Sequence, residues 1–258
     1  MLLKLIKYEF KHNRVNFFSI YAGIIALSFF MGQMEILSES DFLIGLLIFL
    51  YCICLVVLFV FTLASIVLSY KRSMFSKSSY LNMTLPVSTT QLMLSKLIMS
   101  VIWIILAYCV VFISFIIIFL SALDMSGVRE IFDLLSEVGL KSTVFLFLLN
   151  MFLGIISAIL LIYLCLTIAH TSLIRNHRKI IAIILFFLIY YSINWINKEF
   201  ILSTDISFYY FQDLYYSIGN FNHVLEQLLL SSLLLTIVEG LIYFLATRYA
   251  LNKKIEIE

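Results

Sequence analysis

Long apolar runs alternate along the chain with short polar stretches. Several of these runs reach or exceed the roughly 20 residues that a helix needs to cross the roughly 30 Å hydrocarbon core of a bilayer. The pattern predicts an all-α integral membrane protein with six transmembrane helices. The predicted spans are Val15–Met34, Phe42–Tyr70, Leu97–Leu120, Val144–Ala169, Ile180–Trp195 and Leu228–Ala246. The fifth is the shortest, and Asn194 and Asn197 lie at its end.

The composition excludes most soluble classes of protein. Hydrophobic residues make up 63% of the 258 residues and charged residues 12%, against roughly 45–50% and 25% in soluble domains. Mean hydropathy is +1.10. One soluble core cannot hide so much apolar surface. The chain is therefore not an ordinary soluble enzyme, a nucleic-acid-binding module or a disordered protein.

Charges are distributed unequally between the two sets of connections. The two ends and the second and fourth connections together hold 14 basic and 3 acidic residues, whereas the other connections hold 3 basic and 11 acidic residues. Basic residues favour the cytoplasmic side of a membrane. We therefore expect both termini in the cytoplasm, which agrees with an even number of spans, in a multi-pass protein of the cell membrane.

The first 14 residues have an amphipathic pattern. Their basic residues are spaced by three or four and fall on one helical face, opposite an apolar face. These membrane-interface candidates are Lys4, Lys7, Lys11 and Arg14. The pattern predicts an interfacial helix over residues 1–14, with basic side chains toward lipid phosphates and a bend near His12–Arg14. An ordinary basic flank of the first span and a cleaved signal peptide are the alternatives.

The second connection, residues 71–91, carries apolar side chains among polar ones. A connection that simply returned to the membrane would not need them, so they indicate a short helix near Ser76–Met83 that docks on a partner. An interfacial loop resting on lipid is the alternative. Pro86 ends that helix. Ser88 and Gln91 fit a capping box that starts the next one.

Two further connections stand out by composition. The fourth, His170 to Lys179, is short and basic and suits a charge flank, a partner or anionic lipid. The last external segment, residues 197–227, is rich in aromatic residues, which gather where lipid meets water. It predicts one or two short amphipathic helices at the outer interface; a gate or exit site for a substrate is the alternative.

Glu239 and Asn150 are polar residues inside predicted spans. A carboxylate at the centre of a transmembrane helix is costly, so Glu239 should face protein or a wet cavity, or be protonated. It is a pathway or gating candidate. Alternatively it is a neutral acid hydrogen-bonded to another helix, for example at Asn150, Thr167 or Ser65. Asn150 is a weaker pathway candidate, because its default role is to join two helices.

Signatures of catalysis and cofactor binding are missing from the sequence. It contains no phosphate-binding G-x-x-x-x-G-K-[ST] loop, no H-E-x-x-H, no G-x-S-x-G and no G-x-G-x-x-G motif. The four cysteines lie within apolar runs and lack zinc spacing. We therefore expect no catalytic, cofactor or metal site, no nucleotide-binding domain and one transmembrane domain over residues 1–258.

The order of these features resembles the permease subunits of bacterial type-2 ABC exporters. The resemblance covers the whole chain and centres on YLNMTLPVSTTQLMLSKL, which holds Leu85-Pro86-Val87-Ser88 and ends in the form L-x-x-x-K at Lys96. In that family the loop between spans two and three includes a coupling helix that docks on a separate ATPase. Here Ser78-Ser79 stands where many relatives have an acidic residue and Gly.

The resemblance implies partners and a function. Two permease chains, identical or different, would form a pathway in the lipid bilayer, and two ATPase subunits would bind ATP and Mg. The cargo would be amphipathic or hydrophobic, with an antimicrobial or toxin peptide favoured, and no nucleic acid is involved. The residues expected to contact the ATPase are Met74, Phe75, Lys77, Tyr80, Leu81, Leu85, Pro86, Arg175 and Arg178.

Two other classes remain open. The first is an ATP-independent secondary transporter or ion exporter that uses Glu239, although the spans contain one acid and no proline. The second is a membrane anchor or sensor subunit that holds an ATPase without passing cargo.

Overall fold

A computed structural model describes residues 2–37, 41–75, 88–122, 142–170, 177–203 and 218–253. Six α-helices occupy these ranges. They are α1 (Leu2–Leu37), α2 (Asp41–Met74), α3 (Thr89–Ala122), α4 (Ser142–Ala169), α5 (Arg178–Ser203) and α6 (Ile218–Lys253).

All six helices are long and apolar enough to cross a membrane. The apolar segments within them run from 20 residues in α1 to 32 in α3, against the roughly 20 that a bilayer requires. Many of their large apolar side chains are exposed, for example Phe42 at 77% and Phe112 at 67%. In lipid such side chains need no protein cover. The prediction of six long apolar helices is confirmed for the described residues, and these helices are compatible with a multi-pass membrane protein.

The helices extend beyond the predicted spans. α3 begins at Thr89 instead of Leu97, α5 continues to Ser203, and α6 covers residues 218–253 instead of 228–246. Hydropathy detects only the part of a helix that lies in hydrocarbon, whereas backbone hydrogen bonding continues through neighbouring polar residues. Residues 197–203 and 218–227 of the predicted external segment therefore belong to α5 and α6.

α1 is one uninterrupted helix from Leu2 to Leu37. The predicted interfacial helix over residues 1–14 is helical, but it is continuous with the first span instead of forming a separate element. Ile6 and Phe10, near its start, pack against the same hydrophobic cluster as the membrane-spanning part.

By their internal contacts the residues form two compact units. The first contains residues 1–69 and 91–139. Its core joins α1, α2 and α3 around Trp103, whose ring stacks on Phe17 with centroids 4.1 Å apart and on Phe10 at 5.1 Å. The hydroxyl of Tyr21 donates to the Trp103 carbonyl. Tyr51 of α2 hydrogen-bonds Ser114 of α3 at 2.6 Å.

A buried ion pair also joins the helices of the first unit. The Nζ of Lys96 on α3 forms a salt bridge with Glu9 on α1. The hydroxyl of Ser69 on α2 donates to the other carboxylate oxygen of Glu9 at 2.9 Å. The Lys96 side chain is 8% exposed, so Glu9 supplies a counter-charge that water cannot easily reach to replace. One carboxylate thus links all three helices.

The second unit contains residues 70–90 and 140–258. In this unit α4 packs against α6 and α5, and α5 also contacts α6. α2 leaves the first unit after Ser69, so its last residues belong to the second unit, together with the start of α3. These last residues of α2 pack on α4 and form the candidate site.

Candidate functional site at the base of two connections

The last turn of α2 and the last two turns of α4 meet in a buried cluster of rings and hydroxyl groups. We call it the loop-base cluster; its members are Tyr70, Phe75, Tyr163, Thr167 and His170. All five are at most 2% exposed.

The best-defined contact in the loop-base cluster joins Tyr70 and Tyr163. Their rings are nearly parallel, with centroids 3.9 Å apart and an interplanar angle of 7°. The Tyr70 hydroxyl lies 2.9 Å from the Oγ1 of Thr167. Thr167 gives its own proton to the Tyr163 carbonyl at 2.7 Å, so Tyr70 must be the donor to Thr167. Both the ring and the hydroxyl of Tyr70 are therefore held by α4.

Phe75 and His170 form the second stacked pair of the cluster. Their ring centroids are 4.3 Å apart at 14°, and Phe75 also meets Tyr70 edge to face at 5.9 Å. The Nδ1 of His170 lies 2.8 Å from the Leu166 carbonyl. A carbonyl only accepts hydrogen bonds, so Nδ1 carries the hydrogen. This bond holds the imidazole plane against Phe75.

The sequence positions of Phe75 and His170 give this stack its significance. Phe75 directly precedes the 76–87 connection, and His170 directly precedes the 171–176 connection. Two connections that are almost a hundred residues apart in sequence therefore start from one stacked pair of rings. The residues of the second connection predict contact with a partner, and those of the fourth suit a charge flank, a partner or anionic lipid. The sequence alone does not show that the two connections begin at adjacent rings.

The other ends of these connections are also held by local contacts. Helix α3 begins at Thr89, directly after Ser88, which confirms the predicted N-terminal position of Ser88. The Thr89 hydroxyl donates to the Oδ1 of Asn252 on α6 at 3.0 Å. His177, before α5, has a φ of 57° and its carbonyl accepts the Ile181 N–H. Histidine is among the residues that adopt this left-handed conformation more readily.

A second set of contacts joins α4, α5 and α6 through polar side chains. The amide of Asn150 on α4 donates to Ser232 on α6. Towards the start of α4, Glu226 of α6 accepts hydrogen bonds from Ser142 and Thr143. Such bonds between helices are the ordinary role of polar side chains in a membrane.

Glu239 also has a partner on a neighbouring helix. The Nδ2 of Asn197 on α5 donates to its Oε1 at 2.6 Å. The expectation that Glu239 faces protein agrees with this contact, but its partner is none of the three suggested residues. Thr167 instead binds Tyr70, and Asn150 binds Ser232. The pathway or gating roles of Glu239 and Asn150 remain predictions.

Comparison of the chain with protein-family models, with curated proteins and with solved structures gave no match in any of the three.

The structure describes three of the nine predicted docking residues, and these three differ in burial. Met74 and Phe75 are buried, at 1% and 0% exposure, and belong to the base of the connection. Arg178 is the first residue of α5 and is half-buried. The other predicted docking residues lie outside the described residues: Lys77, Tyr80, Leu81, Leu85, Pro86 and Arg175. Contact of all nine with an ATPase stays a prediction.

Tyr70, Tyr163 and Thr167 of the loop-base cluster are not among the docking residues that the sequence predicts. Tyr70 lies at the end of the predicted second span, and Tyr163 and Thr167 lie within the predicted fourth span. A polar or aromatic residue in the last turns of both spans was a visible signal, but only the fold pairs the two ends. Across the described ranges, no group of three or more His, Cys, Asp or Glu side chains could hold a metal ion.

Proposed function

We propose that this chain is the membrane-spanning permease subunit of an ABC exporter. A separate ATPase subunit binds the 76–87 connection and the 171–176 connection, and it drives an amphipathic or hydrophobic cargo across the membrane. An antimicrobial or toxin peptide is the favoured cargo. The charge distribution supports a cytoplasmic location for both connections, where ATP is available.

The stack of Phe75 on His170 is the observation that carries this proposal. A partner that pressed on both connections would act on a single buried point, because the residues that precede the two connections have stacked rings. The Tyr70–Tyr163 stack and the Tyr70–Thr167 hydrogen bond would then pass the movement to α4. Close-packed rings transmit displacement because they cannot be compressed.

The resemblance of Leu81–Lys96 to the coupling loop of type-2 ABC exporters supports the same proposal. The absence of a phosphate-binding motif in the sequence agrees with an ATPase on another chain. Such a permease alternates between two states whose balance is shifted by ATP in the partner. A second permease chain, identical or different, would complete the pathway, and the ATPase would be present in two copies.

A pull-down from the native host tests the proposal. The tagged chain is purified in mild detergent, and the proteins that co-purify are identified by mass spectrometry. We expect a soluble ATPase in roughly equal amount. The variant Y80D/L81D should lose it, because two charges replace apolar docking groups. The matched control S78D/S79D adds the same charge at neighbouring polar positions and should keep most of it.

Two results would contradict the proposal. One is a folded wild-type protein that purifies without any ATPase. The other is equal recovery of the ATPase by Y80D/L81D and by wild type, which would remove the docking role of this connection. The first result would turn attention to Glu239 and to a transporter driven by an ion or proton gradient.

A further inference from the structure

One face of α1 changes from basic to apolar along its length. The residues on this face follow each other at spacings of three or four, which places them in one stripe. From the start of the helix they are Lys7, Lys11, Arg14, Phe18, Ala22, Ile25 and Phe29. Because α1 is uninterrupted, the basic and apolar parts form a single surface, which we call the α1 stripe.

The apolar part of the α1 stripe faces lipid. Phe18 is 54% exposed and Phe29 is 57% exposed, while Phe17 and Ile24, on the adjoining face, are buried in the core of the first unit. A transmembrane helix that leaves large rings uncovered by protein presents them to acyl chains. The basic part, one helical turn further toward the start of α1, then reaches the level of the lipid headgroups.

The dimensions of the basic part fit that layer. Lys7 and Arg14 are separated by about 10 Å along the axis, at 1.5 Å per residue. The headgroup layer on each side of a bilayer is roughly 5–8 Å thick, and long basic side chains extend toward it from either side. Lys7, Lys11 and Arg14 are all exposed.

These three charges are not neutralised by the nearest acid of α1. Glu9 lies on the opposite face, where it accepts hydrogen bonds from Lys96 and Ser69. Within the part of the chain that the structure describes, the salt bridge of Glu9 is with Lys96. The contacts of Glu9 and the stack of Phe10 on Trp103 fix the rotation of α1. The exposed side chains of Lys7, Lys11 and Arg14 are therefore held on the face that points away from this core.

We infer that the start of α1 binds anionic phospholipid from the leaflet around it. The phosphate and other acidic headgroup oxygens would contact Lys7, Lys11 and Arg14, while the acyl chains of the same lipid would lie along Phe18 and Ala22. Charge attraction alone would suit any polyanion. The continuity of cations with a lipid-facing apolar stripe selects a lipid. This inference is independent of any ATPase partner.

Trp103 provides a local probe of this surface. The chain has two tryptophans, and Trp195 is 66% exposed on α5, so W195F leaves Trp103 as the single emitter. Trp103 packs against residues 10 and 17 of α1, beside the α1 stripe. Bromine on acyl chains quenches tryptophan at short range. The protein is placed in vesicles that contain equal mole fractions of phosphatidylglycerol and phosphatidylcholine, with either one brominated.

We expect brominated phosphatidylglycerol to quench Trp103 more strongly than brominated phosphatidylcholine. Each basic residue beside an anionic surface favours binding by roughly five-fold, so K7Q/K11Q should lose most of this preference. The control K198Q/R248Q removes the same charge at two exposed positions on α5 and α6 and should retain it. The emission maximum of Trp103 checks that each variant is folded.

Three results would overturn the inference. Equal quenching by the two lipids in the W195F parent would mean that anionic lipid is not enriched. Equal loss in both charge variants would mean that net charge, and not the α1 stripe, causes the preference. Loss of the preference in phosphate buffer, but not in chloride of equal ionic strength, would indicate a site for free phosphate instead of lipid.

Discussion

At the scale of single residues, hydroxyl groups join neighbouring helices within each unit. Tyr70 donates to Thr167, and Thr167 donates to the Tyr163 carbonyl. The same arrangement recurs in the first unit, where Tyr51 meets Ser114 and Ser114 donates to the Val111 carbonyl. In each case a tyrosine on one helix donates to a hydroxyl on another helix, and that hydroxyl donates to a backbone carbonyl of its own helix. The tyrosine is thereby the group that joins two helices.

Removal of the Tyr70 hydroxyl should cost stability without disturbing the ring stack. We expect Y70F to lower the free energy of unfolding by about 0.5–1.5 kcal/mol, the range for one hydrogen bond between helices. In T167V/Y70F the second substitution should add less than it does alone, because the two side chains share one bond. Reversible unfolding in mixed micelles with increasing SDS measures both effects.

Y108F is the matched control for that measurement. Tyr108 on α3 is 61% exposed, and loss of its hydroxyl should change the free energy of unfolding little. If Y70F were as stable as Y108F, the Tyr70–Thr167 hydrogen bond would contribute nothing to the attachment of α2 to α4.

At the scale of helices, Glu9 has a role that charge counting could not show. The charge distribution predicts that Glu9 and Lys96 lie on the same side of the membrane, but it does not predict that they form a pair. Their pairing depends on how α1 and α3 pack, and 87 positions separate them in the chain. The pair also explains why α3 can begin eight residues before the predicted span, since Lys96 has a partner within the first unit.

Removal of Glu9 should lower the free energy of unfolding more than removal of Lys96. E9Q leaves a buried ammonium group without a counter-charge, so we expect it to lower the free energy of unfolding by about 3 kcal/mol. K96M leaves Glu9 partly exposed and still bonded to Ser69, and it replaces a buried charge with an apolar side chain. Its cost should be about 1 kcal/mol or less.

The same SDS titration compares these two variants. K7Q serves as a control, because Lys7 is exposed on the opposite face of α1 and should tolerate the change. An equal cost for E9Q and K96M would contradict the explanation from burial. Full stability of E9Q would mean that Lys96 does not depend on Glu9.

The predictability of the helices from sequence depends on what each residue contacts. The six apolar runs were sufficient to identify the spans, because transfer to lipid depends mainly on residue type. The extent of α1 could not be identified in this way. The basic residues predict a bend near His12–Arg14, whereas the packing of Phe10 and Phe17 on one Trp103 supports a continuous helix. The partner of Glu239 was missed for the same reason: Asn197 lies near it only through the packing of α5 on α6.

At the scale of the whole molecule, the loop-base cluster and the charge distribution bear on the same question. The cluster brings together the connections that follow α2 and α4, both of which belong to the basic set. Successive spans reverse direction, so these two connections must share one side of the membrane if each helix crosses once. A partner that contacted both would therefore need only one face of the bilayer.

This topology can be tested by cysteine labelling in intact cells. The four native cysteines are replaced, and single cysteines are introduced by S78C in the second connection and S136C in the third. If the basic connections are cytoplasmic, a membrane-impermeant maleimide should label S136C in intact cells and S78C only after lysis. Labelling of both in intact cells would contradict six alternating spans, and the reverse pattern would place the loop-base cluster on the outer side, where an ATPase could not reach it.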